Sequence, residues 1–241
     1  MKKNILRLLF LVLVLFININ LVPLVWTSSM PTYLETDNII ALVDTDEEKP
    51  VEVNHLVKDL QEEYNNTDIK AVLAIDNTDY STPVMQSKDN KYYLFRNLYK
   101  KKDEFGTPFV DYRVDLNNAK KTLIFGHNSI YRHMAFEILN NYYEESYYKD
   151  HQYITLYLED TVKKYQIFSV YVETKDFDYY DMKYTEKEWI KHINKLKSKS
   201  FYETNVDVES EDNILILQTC STSKKFKTNK YKFIIVVAKE V

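Results

Sequence analysis

The chain of 241 residues has only one cysteine, two glycines and no concentrated basic segment. A single cysteine excludes an intramolecular disulfide bridge. The 32 basic residues are scattered among 36 acidic ones, and a net charge of −4 argues against a nucleic-acid-binding protein. The sequence also lacks internal repeats and low-complexity tracts. With 45% hydrophobic residues, it can bury the core of one large domain or two small ones.

The N-terminus has three basic residues followed by an apolar stretch from Leu8 to Trp26. This length approaches the roughly 20 residues that span a bilayer, and the basic flank predicts a cytoplasmic N-terminus with the remainder outside. Small residues at 27–30 leave a cleaved signal peptide as the alternative.

These features predict three segments. Residues 1–26 are expected to be a signal-anchor, residues 27–50 a polar extracellular linker, and residues 51–241 the folded domain. The expected location is the cell membrane, with a single span through residues 8–26 and the folded domain outside the cell.

Apolar periodicity predicts a mainly β domain with a few helices. Helices are expected in 51–66, 131–145 and 185–199, the last of them opened by a capping box of Thr185 and Glu188. Short β-rich runs separated by turn residues are typical of a barrel or a sandwich. The runs lie at 71–75, 122–125, 153–158, 165–173, 214–219 and 232–238.

Two residues that could perform chemistry follow predicted strands. Gly126 and His127 come directly after one apolar run, and the lone Cys220 comes directly after another, so both side chains could reach a shared cleft. A free thiol with a pKa of about 8.5 is mostly protonated at neutral pH, and a neighbouring imidazole can activate it. Taken alone, a single cysteine on an apolar strand is more often a small buried hydrophobic residue than a nucleophile. The other four histidines, including His192 in a predicted helix, are interpreted as surface or boundary residues.

The motifs TLIFGHNS (122–129) and LQTCS (217–221) resemble the signatures of the sortases, membrane-anchored cysteine transpeptidases of Gram-positive bacteria. The similarity is greatest to class B, extends from about residue 70, and includes a helical insert at about 177–205. This resemblance implies an eight-stranded β-barrel with an N-terminal helix and a helical insert before the cysteine strand. It also implies that His127 is the acid and base and that Cys220 is the nucleophile.

The sequence departs from the family after the cysteine, where an arginine is expected. None of the four arginines follows Cys220. Lys230 and Lys232 are the candidates for the catalytic cation, although lysine lacks the flat donor fork of a guanidinium group. Substrate contacts are expected from Thr219, Gln218, Asn128, Tyr112, Arg113 and Phe233, and Arg113 is a further candidate for the cation.

The family resemblance implies cleavage of a C-terminal sorting motif after Thr through a Cys220 thioester. The product would be joined to an amine of peptidoglycan or of its lipid-linked precursor, and the clients would be surface proteins. No cofactor, metal or nucleic acid is expected, and the protein is expected to be a monomer. The alternative is a degenerate module that binds surface-protein or wall peptides without turnover. A papain-like protease fits poorly, because its cysteine precedes its histidine.

Overall fold

The computed structural model describes residues 55–129, 131 and 133–241. The predicted signal-anchor, the linker and residues 51–54 lie outside this part of the chain. No helix among the described residues is both long and apolar enough to cross a bilayer. The expected single-pass membrane location is therefore corrected, because the structure does not support it.

Eight strands close into a barrel in the order β1-β2-β3-β4-β7-β8-β6-β5. Strands β2 and β3 pair in parallel, as do β4 and β7, and the other neighbouring pairs are antiparallel. The prediction of a mainly β protein with an eight-stranded barrel is confirmed. The strands are β1 (Ile69–Ile75), β2 (Ser81–Met85), β3 (Phe109–Val110), β4 (Lys121–Phe125), β5 (Tyr153–Leu158), β6 (Val162–Glu173), β7 (Ile214–Cys220) and β8 (Phe233–Glu240).

In the part of the chain that the structure describes, three α-helices accompany the barrel: α1 (Leu56–Glu63), α2 (Glu145–Asp150) and α3 (Glu186–Ser198). Helix α1 precedes the first strand and α3 precedes the cysteine strand, as expected. The capping box is present: Thr185 Oγ1 accepts from the Glu188 backbone amide at 3.4 Å, and the Glu188 carboxylate accepts from the Thr185 amide at 2.8 Å.

Side chains alternate between two hydrophobic layers, because successive residues of a strand point to opposite faces. In β7, Leu215 and Leu217 belong to a cluster with residues from all eight strands, as a barrel interior requires. Ile214 and Ile216 belong to a second cluster that includes α1 and α3. The helices therefore cover part of the outer face of the barrel.

The prediction of one continuous helix over residues 131–145 is wrong. The chain instead makes a 3-10 helix at Glu137–Tyr143, followed by the separate helix α2. Phe136, Leu139 and Tyr142 are all fully buried in the barrel interior. Their spacing of three residues matches a 3-10 helix, which has three residues per turn.

Candidate active site

The ends of β4 and β7 bring the two candidate catalytic residues, His127 and Cys220, to the same end of the barrel. The strands are parallel neighbours, and Phe125, the last residue of β4, lies opposite Gln218. His127 follows two positions after Phe125, and Cys220 follows two positions after Gln218 as the last residue of β7. The prediction that both residues stand at strand ends is confirmed.

Three hydrogen bonds connect these strand ends. The Gly126 amide donates to Gln218 O at 3.1 Å, and the Thr219 hydroxyl donates to Gly126 O at 2.8 Å. Beyond the ladder, Asn128 Nδ2 donates to Cys220 O at 2.9 Å. The backbones that carry the histidine and the cysteine are thus fixed to each other. Thr219 is fully buried and, like Asn128, bonds to backbone.

Gly126 is required by packing. A Cβ atom at this position would lie 2.5 Å from two ring atoms of Phe136, far inside normal contact distance. Phe136 is itself fully buried, so its ring has little room to move. The scarce glycine therefore lets the chain that leads to His127 pass close to the barrel core.

The imidazole of His127 is oriented by backbone. Its Nε2 lies 2.8 Å from Leu94 O, and because a carbonyl can only accept, Nε2 carries the proton. The ring of Phe95 lies 6.0 Å away between centroids. Among the described residues, Nδ1 has no hydrogen-bond partner, so it is the nitrogen that remains available for a thiol or a leaving group.

Cys220 presents an exposed thiol on the outer face of β7, the same face as Gln218. Partial burial of Cys220 raises the pKa of the thiol above its usual value, and the positive charge of Lys232 acts in the opposite direction. A raised pKa keeps the thiol mostly protonated at neutral pH. A thiol in this state reacts as a nucleophile only with help from nearby basic or cationic groups.

The residue that lies opposite Cys220 across the antiparallel pair of β7 and β8 is Phe233. Strand β8 begins there, so the two candidate lysines precede the strand. Lys232 Nζ donates to Ser223 O at 3.1 Å, within the turn that follows the cysteine. Lys230 instead lies over the ring of Tyr231, 5.0 Å from its centroid. Of these two lysines, only Lys232 has a charge that lowers the pKa of the Cys220 thiol.

The guanidinium of Arg113 is held by other partners. It makes two hydrogen bonds of 2.8 Å to the carboxylate of Asp111, which is fully buried, and a third to Tyr180 O at 3.1 Å. Burial alone would raise the pKa of Asp111, but the bonds from Arg113 lower it below its usual value. The neighbouring Tyr112 side chain is exposed.

A segment between β6 and α3, residues 174–185, packs against the cysteine strand and is here named the insert loop. Its Tyr179 hydroxyl donates to Gln218 Oε1 at 3.0 Å, and its Tyr180 ring lies 5.9 Å from that of Phe125. Sequence analysis placed an insert here but missed these contacts. The three tyrosines within residues 179–184 were the sequence feature that could have indicated these contacts.

A second set of contacts missed from the sequence holds the turn after Cys220. Tyr143 and Ser221 share a hydrogen bond of 2.6 Å between their hydroxyl groups. Asn140 Oδ1 accepts from both the amide and the hydroxyl of Thr222, at 3.1 and 2.9 Å. The 3-10 helix at 137–143 therefore supports the turn that also anchors Lys232.

The fold and the site define a β-barrel protein with a cysteine and a histidine at adjacent strand ends. A family model described as the sortase domain matches residues 73–241. Sortase B of Listeria monocytogenes is 34% identical over 182 residues, which cover 74% of this chain and 72% of the relative.

Solved structures agree with the sequence comparison. A substrate complex of Staphylococcus aureus sortase B has a TM-score of 0.70 at 27% identity, covering 79% of this chain and 87% of that one. A sortase B complexed with triglycine has a TM-score of 0.68 at 27% identity, covering 76% and 84%. The chain belongs to the sortase family of cysteine transpeptidases, and these relatives are class B members.

Proposed function

We propose that this protein is a sortase that cleaves a C-terminal sorting motif after Thr and transfers the acyl fragment from Cys220 to an amine of the cell wall. The observation that carries the proposal is the hydrogen-bonded pair of strand ends, which positions Cys220 and His127 at one rim of the barrel. The substrate and triglycine complexes of class B relatives support a peptide donor and an amine acceptor.

The proposed reaction has two acyl transfers. His127 Nδ1 first takes the proton of the Cys220 thiol, and the resulting thiolate attacks the Thr carbonyl carbon. The carbon–nitrogen bond then breaks, and the leaving amine takes that proton from His127. The acceptor amine then attacks the thioester, gives a proton to His127, and releases the thiolate. Because Nε2 of His127 is bonded to Leu94 O, Nδ1 is the nitrogen assigned to these transfers.

Lys232 is the proposed cation. Its charge favours the thiolate of Cys220, and its bond to Ser223 O fixes it in the turn after the cysteine strand. A fixed positive charge near a reacting carbonyl also stabilises the oxyanion that develops there. Lys230, two residues earlier, contacts the ring of Tyr231 and serves as the matched control.

The alternative function, peptide binding without turnover, is favoured by one observation. Phe233, an aromatic residue without a hydrogen-bond donor on its side chain, stands opposite Cys220. If the cation is essential and Lys232 cannot replace it, the cleft would still bind peptide but no thioester would form.

Mass spectrometry of the full chain mixed with a pool of sorting peptides tests the proposal. We expect an acyl adduct on Cys220 in the wild type, none in Cys220→Ala, and cleavage reduced at least about a hundredfold in His127→Ala. Lys232→Met should lower turnover by about ten- to a hundredfold. Lys230→Met, which removes the same charge from the same turn, should stay within about twofold of the wild type.

Two results would separate the alternatives. Peptides that bind equally to wild type and Cys220→Ala without any adduct would establish the binding module. Equal losses in Lys230→Met and Lys232→Met would contradict the specific role of Lys232 and indicate that only the net charge of the turn matters.

A further inference from the structure

Lys121, the first residue of β4, is a buried lysine to which the proposed reaction assigns no role. It is 4% exposed, whereas lysine is almost never fully buried without partners. Its Nζ donates to Tyr179 O at 2.7 Å, to Asp181 O, and to the Tyr184 hydroxyl at 2.9 Å. His192 Nε2 lies 3.4 Å away. His192 is itself buried, which corrects its interpretation as a surface or boundary residue.

The oxygen atoms around Lys121 all belong to the insert loop. Two of them flank Tyr180, whose hydroxyl accepts from Asn90 Nδ2 at 3.1 Å. The Tyr179 side chain reaches Gln218 on the same face as Cys220. One amine at the start of β4 therefore fixes the loop that contacts the cysteine strand.

These partners satisfy the amine in either protonation state. The ammonium form can donate to both carbonyls and to the Tyr184 oxygen, whose own hydrogen can point to Asp181 O at 2.8 Å. The neutral form can donate to both carbonyls and accept from the Tyr184 hydroxyl. The network therefore survives the loss of the proton.

We infer that Lys121 is a positioning residue, whose buried amine fastens the insert loop to β4 and thereby holds Tyr179 and Tyr180 against the strand ends that carry Cys220 and His127. The expected effect on peptide affinity rests on the proposed function. The expected effect on the insert loop does not depend on the proposed function.

This attachment is linked to pH with a defined sign. Burial lowers the pKa of Lys121 to about 7, whereas opening the loop would return the amine to water and to a pKa near 10.5. The open state therefore binds the proton more tightly, and the loop becomes more firmly held as pH rises from 7 towards 10. The titratable and charged groups that face the amine are Asp178, Tyr179, Asp181 and Tyr184 of the insert loop, His192 of α3, and Asp111 and Arg113 before β4.

Hydrogen exchange of peptides covering residues 178–184 in the full chain tests the inference. After correction for the intrinsic pH dependence of exchange, protection in the wild type should increase more than tenfold from pH 6 to pH 9. Lys121→Met should reduce protection roughly tenfold at pH 9 and abolish its pH dependence. Lys195→Met removes a half-buried ion pair to Asp178 of the same loop, but Lys199 still pairs with that carboxylate, so protection should change less than twofold.

The wild-type series needs no variant, so poor folding of Lys121→Met would leave the test intact. Tyr184→Phe, which removes one partner of the amine, should give a smaller loss in the same direction. Wild-type protection that is flat or falls with pH would overturn the inference. In peptide cleavage, Lys121→Met should raise KM more than it lowers kcat. If no peptide reacts with the wild type, the proposed function fails while the exchange experiment still decides the role of Lys121.

Discussion

Thr219→Val tests whether the hydrogen bond between the ends of β4 and β7 holds the candidate active site together. The Thr219 hydroxyl is fully buried and donates to Gly126 O at 2.8 Å. Valine has nearly the same shape but no donor, so the carbonyl loses its partner in a partly buried position. The expected loss is about 1–2 kcal/mol of the free energy of unfolding.

For a domain of this size, 1 kcal/mol corresponds to a shift of about 2–4 °C in Tm. We therefore expect Tm of the Thr219→Val variant to fall by roughly 2–8 °C, measured by circular dichroism, with a matching decrease in the urea midpoint. Thr219→Ser keeps the donor and loses only a methyl group, at a cost of about 1 kcal/mol.

The two variants are distinguished by turnover of a sorting peptide. The serine variant should cleave it at close to the wild-type rate, because Cys220 and His127 keep their relative position. The valine variant should be slower at temperatures where both proteins are fully folded. If Thr219→Val matches the wild type in both Tm and turnover, the bond to Gly126 O does not organise the site and the reasoning is refuted.

Three other predictions concern charge and packing. Lys232→Met removes a charge that favours the Cys220 thiolate, so alkylation by iodoacetamide at pH 8 should slow severalfold and its pH midpoint should rise; an unchanged midpoint would contradict this. Gly126→Ala places a Cβ against the Phe136 ring and should cost about 1–3 kcal/mol in urea unfolding, whereas wild-type stability would show that the ring can move aside. Lys121→Met should remove about 2 kcal/mol of stability that the wild type gains between pH 7 and 9, because the unfolded chain retains the proton in that window, and equal slopes would disprove the linkage.

The sequence predicted the parts of the fold that have a strong local period. Helix α3 follows its capping box and its spacing of Trp189, Ile193 and Leu196, all of them buried. The strands before His127 and Cys220 follow their apolar runs. Strands β2 and β3 were missed because β2 contains Pro83 and β3 has only two residues. Such strands are specified by their neighbours in the barrel and leave little pattern of their own.

The site was predictable to the same extent. The order of the two motifs singled out His127 and Cys220 as candidates, since each follows a recognisable apolar run. The contacts of Lys121 with His192 and the insert loop connect residues about 60 to 70 positions apart, and no local pattern records them. From the sequence alone, an isolated lysine beside an apolar run is interpreted as a solvated strand end, because the loop that buries it is distant in the sequence.

Which residue replaces the missing arginine depends on strand register, and the sequence alone left Lys230 and Lys232 as candidates. In the structure β8 begins at Phe233, opposite Cys220, and Lys232 lies one residue before the ladder. A charge acts over several ångströms, whereas a hydrogen bond needs direct contact and alignment. Lys232 can therefore supply the electrostatic part of an arginine's role but not its paired donors. The consequence should be a lower kcat, because the oxyanion exists only during the chemical step and the ground-state peptide does not need those donors.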